Sequence, residues 1–357
     1  MNIQKRLDTL LKTSKDYTQP RISIAFATHR ISLGNKHDSI AYGNLLKQVK
    51  STLEANYNPG DWEQTFERLE KIKEDNNFWK HLADGLVILA CNEQIEIFHL
   101  NYQVATIASV GIAFHIQPLL LADKMDNNYY LVDLAKDRMQ MYEVSESGLN
   151  EIKPPNIKLK FADLYTDVDA NTNFNTASYS GGTGVTHGHR ERSSEEDKYR
   201  EKYFRYLDLE FIKLHSETNN KFILAGTNEN ITEFKKLTQA KFYLEKIIDK
   251  PLSSLDNKTI VNEIKLLLKP KAELVLKSIN AEIQNAENNQ KLLTDFLDIV
   301  NAVSNGMVAK IIVKSQKEIV NVQLDELIVH ALENNIQVFV VNANVELAYP
   351  LVAILHY

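Results

Sequence analysis

One cysteine, Cys91, stands in a chain of 357 residues, so no internal disulfide can form. A cytosolic, reducing environment is the default reading for such a chain. Long apolar runs are missing as well: none approaches the ~18 residues that a membrane span requires. The opening stretch MNIQKRLDTLLKTSK has an amphipathic helical pattern without the apolar core of a secretory signal, and reads as a short docking helix. An excess of positive charge is absent too. With 41 Lys and Arg against 47 Asp and Glu, the formal net charge is −6. Proteins that bind nucleic acid generally are usually basic overall, so an RNA partner would require a local basic patch. Neither an internal repeat nor a sustained heptad pattern is visible.

What is present suits a globular protein. The apolar fraction is 44% and the charged fraction 25%, ordinary values for chains that bury real cores, and the length suggests two or three domains. The run Arg21–Thr28, RISIAFAT, alternates like a strand. After a Gly-Asn-Lys-His turn, Asp38 is placed to cap a helix whose Leu45, Leu46, Val49 and Leu53 follow helical spacing. A second helix is expected from Trp62 to about Asn76. The strands Gly85–Ala90 and Gln94–Leu100 are separated by a short polar turn and predict a hairpin. Pro118 interrupts any helix near the end of this first unit. Cys91, after a buried strand, reads as an inert core thiol, and Trp79 as a core residue.

The next unit opens with strands at Tyr129–Leu134 and Arg138–Val144, and Ile157–Phe161 is a candidate third. From Asp167 to about Asp197 the chain is mainly Asn, Thr, Ser, Gly and His. Polar loops longer than about 12–15 residues are usually functional or disordered. A long helix is expected from Ser194, with Tyr203, Tyr206, Leu207, Glu210, Phe211 and Leu214 as its inner stripe. A buried strand Phe222–Ala225 follows, then a helix around Ile231–Leu237. Beyond Pro251 the pattern predicts helices at Asn257–Lys269 and Lys271–Ala302. It then predicts strands at Lys310–Val313, Gln337–Val341 and Val352–Leu355, with a helix Leu324–Asn334 among them. Strands alternating with helices imply a partly parallel sheet covered by helices.

Glycine is not abundant, at 12 residues, yet Gly181, Gly182, Gly184 and Gly188 fall within eight positions. Such a backbone can adopt positive φ and approach another molecule closely. The residues that follow are basic: Arg190, Arg192, Lys198, Arg200, Lys202 and Arg205. They form the local patch that the overall charge conceals, and cations beside a flexible tip suit an RNA backbone. His187 and His189 could begin a Zn²⁺ site with Glu191, Glu195 or Glu196, although a site needs three or four ligands. With Arg190 they could also serve acid–base cleavage of RNA. His29, His81, His99 and His115 border apolar strands and read as packed or surface histidines.

The order of these pieces resembles the archaeo-eukaryotic class-1 peptide-chain release factors and their relative Pelota, and most of all the bacterial release-factor-like branch. RISIAFATHR with the Asn35–Leu53 segment is similar to the family's opening strand and helix, and DGLVILACNEQIEIF to its second strand region. YYLVDLAKDRMQMYEV resembles the first hairpin of the middle domain, and Lys202–Phe234 the helix and strand after its catalytic loop. DIVNAVSNGMVAKIIV, ELIVHALENNIQVFVV and LVAILHY resemble the last domain.

The resemblance implies three consecutive α/β domains, at 1–120, 121–250 and 251–357. The middle one would be RNase H-like and the last ribosomal-protein L7Ae-like. It implies a cytoplasmic protein acting on the ribosome in termination, rescue or quality control. Its partners would be rRNA and peptidyl-tRNA, and a translational GTPase through the C-terminal domain, with no cofactor, metal or membrane. In the family a Gly-Gly-Gln loop places water against the peptidyl-tRNA ester. The matching positions here are Gly181, Gly182 and Thr183, so the glutamine is replaced by a shorter hydroxyl. Peptidyl-tRNA hydrolysis with Thr183, His187 or His189 as positioning groups is one reading. A non-catalytic ribosome- or RNA-binding module is another, and RNA cleavage through His187 and His189 a third. Arg190, Arg192, Lys198, Arg200 and Lys202 would contact RNA. Asn35, Lys36, His37 and Ser39 lie where the family's decoding-side loop would be, without matching its motifs.

Overall fold

The computed structural model describes residues 3–15, 17–29, 35–80, 82–121, 128–145, 148–164, 188–315, 321–342 and 345–356. The chain opens with α1 (Ile3–Ser14), β1 (Arg21–Ala27), α2 (Asn35–Asn56), α3 (Glu63–Glu74) and the single turn α4 (Asn76–Trp79), then β2 (Gly85–Cys91), β3 (Gln94–Leu100) and β4 (Ile107–Gly111). It continues through β5 (Tyr129–Leu134), β6 (Met139–Val144), β7 (Leu149–Ile152), α5 (Gly188–Thr218), β8 (Lys221–Gly226) and α6 (Asn228–Leu237). The last elements are α7 (Asn257–Asn288), β9 (Leu292–Leu293), α8 (Phe296–Ser304), β10 (Val308–Lys314), α9 (Val322–Glu333), β11 (Gln337–Val341) and β12 (Leu351–Leu355). The fold is α/β, with three four-stranded sheets ordered β3-β2-β1-β4, β7-β6-β5-β8 and β11-β10-β12-β9. No helix of the described residues is long and apolar enough to cross a membrane.

Contacts divide the chain into two compact units. One comprises residues 1–125, 145–147 and 269–357, and the other residues 126–144 and 148–268. Strand β2 shows why the first unit takes chain from both ends. All seven of its residues are buried, as befits a strand covered on both faces. Leu86, Ile88 and Ala90 pack with Tyr42, Leu45, Val49 and Leu53 of α2 and Phe66 of α3. Their alternates Val87, Leu89 and Cys91 pack with Leu7, Leu10 and Leu11 of α1 and with Ile299, Val303, Leu324, Ile328 and Val340 from the C-terminal segment. Leu121 also makes a parallel bridge to Val340. Buried beneath this join, His115 Nδ1 lies 2.8 Å from Asp325 Oδ2, and Gln117 Nε2 donates to Asp325 Oδ1 at 2.9 Å.

In the second unit β5 runs antiparallel to β6 and parallel to β8. Tyr130, Val132 and Leu134 face Tyr203, Phe204, Leu207 and Phe211 of α5 and Phe234 of α6. Tyr129 and Leu131 face the other way, with Ile223, Ala225, Ile260 and Ile264. The α5 stripe predicted from helical spacing is thus the core-facing side of the helix.

Several expectations are corrected. The third strand of the middle sheet is Leu149–Ile152, paired with β6, while the 157–161 stretch makes only a bridge between Lys160 and Arg138. Pro154 and Pro155 have no N–H for a ladder, so the strand ends before them. A single helix runs from Asn257 to Asn288 through Pro270, and the predicted helix Lys271–Ala302 is broken. Gln290 adopts φ +57, Leu292–Leu293 joins β12, and the Asp295 side chain caps a new helix by accepting from Leu297 and Asp298 N–H groups. Strand β4 carried too short a pattern to be read.

Candidate functional site

Gly181, Gly182, Thr183 and His187 lie outside the described residues. The chain on either side of that segment is well placed. Before it, Phe161 packs on Tyr199 and Tyr203 of α5, with ring centroids 5.3 and 6.1 Å apart. The Tyr203 hydroxyl donates to the Leu159 carbonyl at 2.6 Å, and the Tyr206 hydroxyl accepts from the Lys158 N–H at 2.8 Å. After it, α5 begins at Gly188, six residues earlier than predicted. Phe161 on one side of the segment and Gly188 on the other thus both lie at α5. Tyr203 fixes that helix to the Leu159 carbonyl, and burial pushes its phenol pKa strongly upward.

The basic residues after the glycines separate into different roles. His189, Arg190 and Arg192 lie in the first turns of α5, where only the backbone is described. Arg200 is 8% exposed, and its guanidinium meets the Glu229 carboxylate at 2.6 Å. That hydrogen bond and charge, with Lys136 adding to them, hold the Glu229 carboxyl below its ordinary range. Arg200 thus ties α5 to the first turn of α6. Arg205 pairs with Glu201 one turn away. Lys198 and Lys202, also one turn apart, are exposed and remain for a polyanion.

Among the N-terminal residues, Asn35–Ser39 forms the first turn of α2 rather than a loop. Of these, His37 is exposed and Ser39 half-buried, while Asn35 and Lys36 are described in backbone only. Of the remaining histidines, His81 lies outside the described residues and His115 is a packed group with a partner. His115 is 4% exposed and held by Asp325. His99, tilted against Phe78, has its pKa lowered by burial and then by Arg6. Cys91 is fully buried, and burial raises its thiol pKa, with Arg21 opposing weakly. Among the described residues no three His, Cys, Asp or Glu side chains are grouped to hold a metal ion.

Among curated proteins, none matches the chain. Among solved structures, an archaeal translation termination factor, aRF1, is 15% identical, covering 99% of this chain and 98% of its own with a TM-score of 0.26. Archaeal Pelota, bound to a ribosome with ABCE1, is 15% identical over 78% of this chain and 73% of its own, at TM-score 0.39. S. cerevisiae Dom34, a translation termination-like factor in RNA quality control that interacts with Hbs1, is 12% identical over 76% and 79%, at TM-score 0.40. These superpositions are loose, and no residue role follows from them. The sequence profile of one family, Bacterial archaeo-eukaryotic release factor family 8, matches residues 126–274, from the start of β5 into α7. Through this segment, the chain is similar to that release-factor family.

Proposed function

We propose that this protein works on ribosomes in translation termination or ribosome rescue, presenting the Gly181–Gly184 segment to the peptidyl-tRNA end. The observation that carries the reading is the family match over 126–274, which encloses that segment together with the helix on which both its flanks are anchored. The exposed pair Lys198 and Lys202 supplies cations for RNA phosphate. In this reading residues 1–120 face the decoding site, with Asn35, Lys36, His37 and Ser39 at their tip. Residues 251–357 would take a translational GTPase. If chemistry occurs it is hydrolysis of the peptidyl-tRNA ester, with water as nucleophile and Thr183, His187 or His189 positioning it.

Thr183 in the place of the family's glutamine favours a second reading, in which the protein docks on ribosomes without releasing peptide. One experiment addresses both. Purified ribosomes carrying peptidyl-tRNA are mixed with wild type, Gly182→Ala and Thr183→Gln, and both pelleting and peptide release are measured while salt is raised. Docking should weaken steeply with salt, since phosphate contacts are released with their counterions. Release lost in Gly182→Ala supports catalysis, and pelleting with no release in any wild-type sample selects the docking module. A wild type that never pellets with ribosomes removes both.

A further inference from the structure

His29 follows β1 and its side chain is 64% exposed, yet it is gripped by a carboxylate that is itself only 3% exposed. Asp38 holds it at two points. Its Oδ1 lies 2.7 Å from the ring Nδ1, and its Oδ2 accepts the backbone N–H of His29 at 2.8 Å. The preceding residue is anchored as well. Thr28 N–H donates to the Asp84 carbonyl at 2.9 Å, and its hydroxyl donates to the Ala83 carbonyl at 2.8 Å. The imidazole is therefore a surface group with a fixed root and a fixed ring.

A clamp on the chain alone would require only the backbone contact, which a neutral Asn or Ser could make. Burying a carboxylate is costly unless it is paired, and here the second oxygen is used to orient an exposed ring. A carboxylate facing Nδ1 places the proton on that nitrogen, so in the neutral ring Nε2 is a bare acceptor. Among the described residues no second and third ligand stand by for a metal ion. An acceptor held at the surface calls for a donor from a partner, and on RNA the donor carried by every nucleotide is the ribose 2′-hydroxyl.

We propose that His29 is an RNA contact whose Nε2 accepts from a ribose 2′-hydroxyl, with Asp38 as its positioning residue. The choice of RNA as partner rests on the ribosomal reading above. The hydrogen bond distinguishes RNA from DNA, which Lys198 and Lys202, as phosphate contacts, would not.

The test uses the full-length protein, a fluorescein-labelled 20-nucleotide RNA and its 2′-deoxy counterpart, with ribosome pelleting run in parallel. One hydrogen bond to a neutral partner corresponds to roughly a fivefold to tenfold preference for RNA in wild type. His29→Ala should bring the two affinities within about twofold of one another. In His29→Ala the Asp38 carboxylate keeps the backbone N–H of residue 29, and circular dichroism melting checks that the fold is retained. Asp38→Asn keeps an oxygen for the His29 N–H. In long-range ¹H–¹⁵N spectra it should turn the single Nδ1–H tautomer into a mixture and reduce the preference. An RNA preference unchanged in His29→Ala, or a wild type that shows none or binds neither oligonucleotide, overturns the proposal. If ribosome pelleting fails while the His29-dependent preference persists, the ribosomal reading falls and this contact stands. If pelleting persists while the preference does not depend on His29, the reverse holds.

Discussion

Two glycines show how the same residue type can be required or dispensable. Gly226 ends β8 with φ +138, and a Cβ there would lie 2.5 Å from the carbonyl oxygen of Leu134, its partner across the parallel ladder. Both the backbone angle and the rigid neighbour oppose a side chain. Gly43 lies inside α2, where a Cβ would meet only the side chain of Lys73, with Cε nearest at 3.0 Å, the flexible far end of that chain. Gly226→Ala should therefore lower stability by about 2–4 kcal/mol. Gly43→Ala should raise it by about 0.5–1 kcal/mol through helix propensity. Urea midpoints of the two variants against wild type check both signs.

Asp325 is the other residue whose role is decided by its partners. Its carboxylate receives His115 and Gln117 from the other end of the chain, and all three are buried. Removing it leaves two buried polar groups unmatched. Asp325→Ala should lower stability by about 3 kcal/mol in equilibrium denaturation, whereas Asp137→Ala, at an exposed pair, should change it by less than about 0.5 kcal/mol. None of this was legible in the sequence: His115 and Asp325 are 210 positions apart, and no local pattern pairs them. Cys91, by contrast, was readable, because an apolar strand on both sides of a position indicates burial.

At the scale of elements, α5 and its neighbours carry several buried phenols. Burial raises the pKa of Tyr130 and Tyr203. It does the same for Tyr243, whose hydroxyl also donates to Asp208 at 2.7 Å. With the folded pKa above the unfolded value of about 10, the stability they contribute is complete below that pH. It is lost as pH rises beyond it, when only the unfolded chain ionises. Absorbance at 295 nm should accordingly show these tyrosines ionising together with loss of ellipticity above pH ~11. Reversible ionisation of all fifteen tyrosines in a chain that keeps its circular dichroism would contradict this. The element order itself was readable where periodicity was strong, as in β1, the β2–β3 hairpin, β5, β8, α9 and β11. It failed where a strand had too few residues to show a pattern, as in β4 and β7. It failed also where an Asn-rich turn interrupts a helical run, as between α7 and α8.

At the scale of the molecule, the cores predict how the chain can be divided. Residues 126–268 close their own two cores around β5 and β8, and expressed alone should unfold in one cooperative transition. Residues 1–125 lose half of the cluster that Ile299, Leu324, Ile328 and Val340 complete. Expressed alone they should aggregate or bind a hydrophobic dye, and co-expressed 269–357 should rescue them. A 1–125 fragment that is monomeric and cooperative would contradict the shared core.

The sequence by itself determined the α/β class and the inner faces of the main helices and strands, because these depend on periodicity and local order that neighbours along the chain express. It also marked the glycine-bearing segment and the cations after it. Only the tertiary structure decided which cations remain exposed, since Arg200 is buried and paired with Glu229. It likewise decided that β2 is covered by helices from both ends of the chain, and that the surface histidine His29 is oriented by Asp38. Each depends on a partner at a sequence distance that no periodicity spans. Burial and pairing, which set the energy of a charge, are properties of the packed chain.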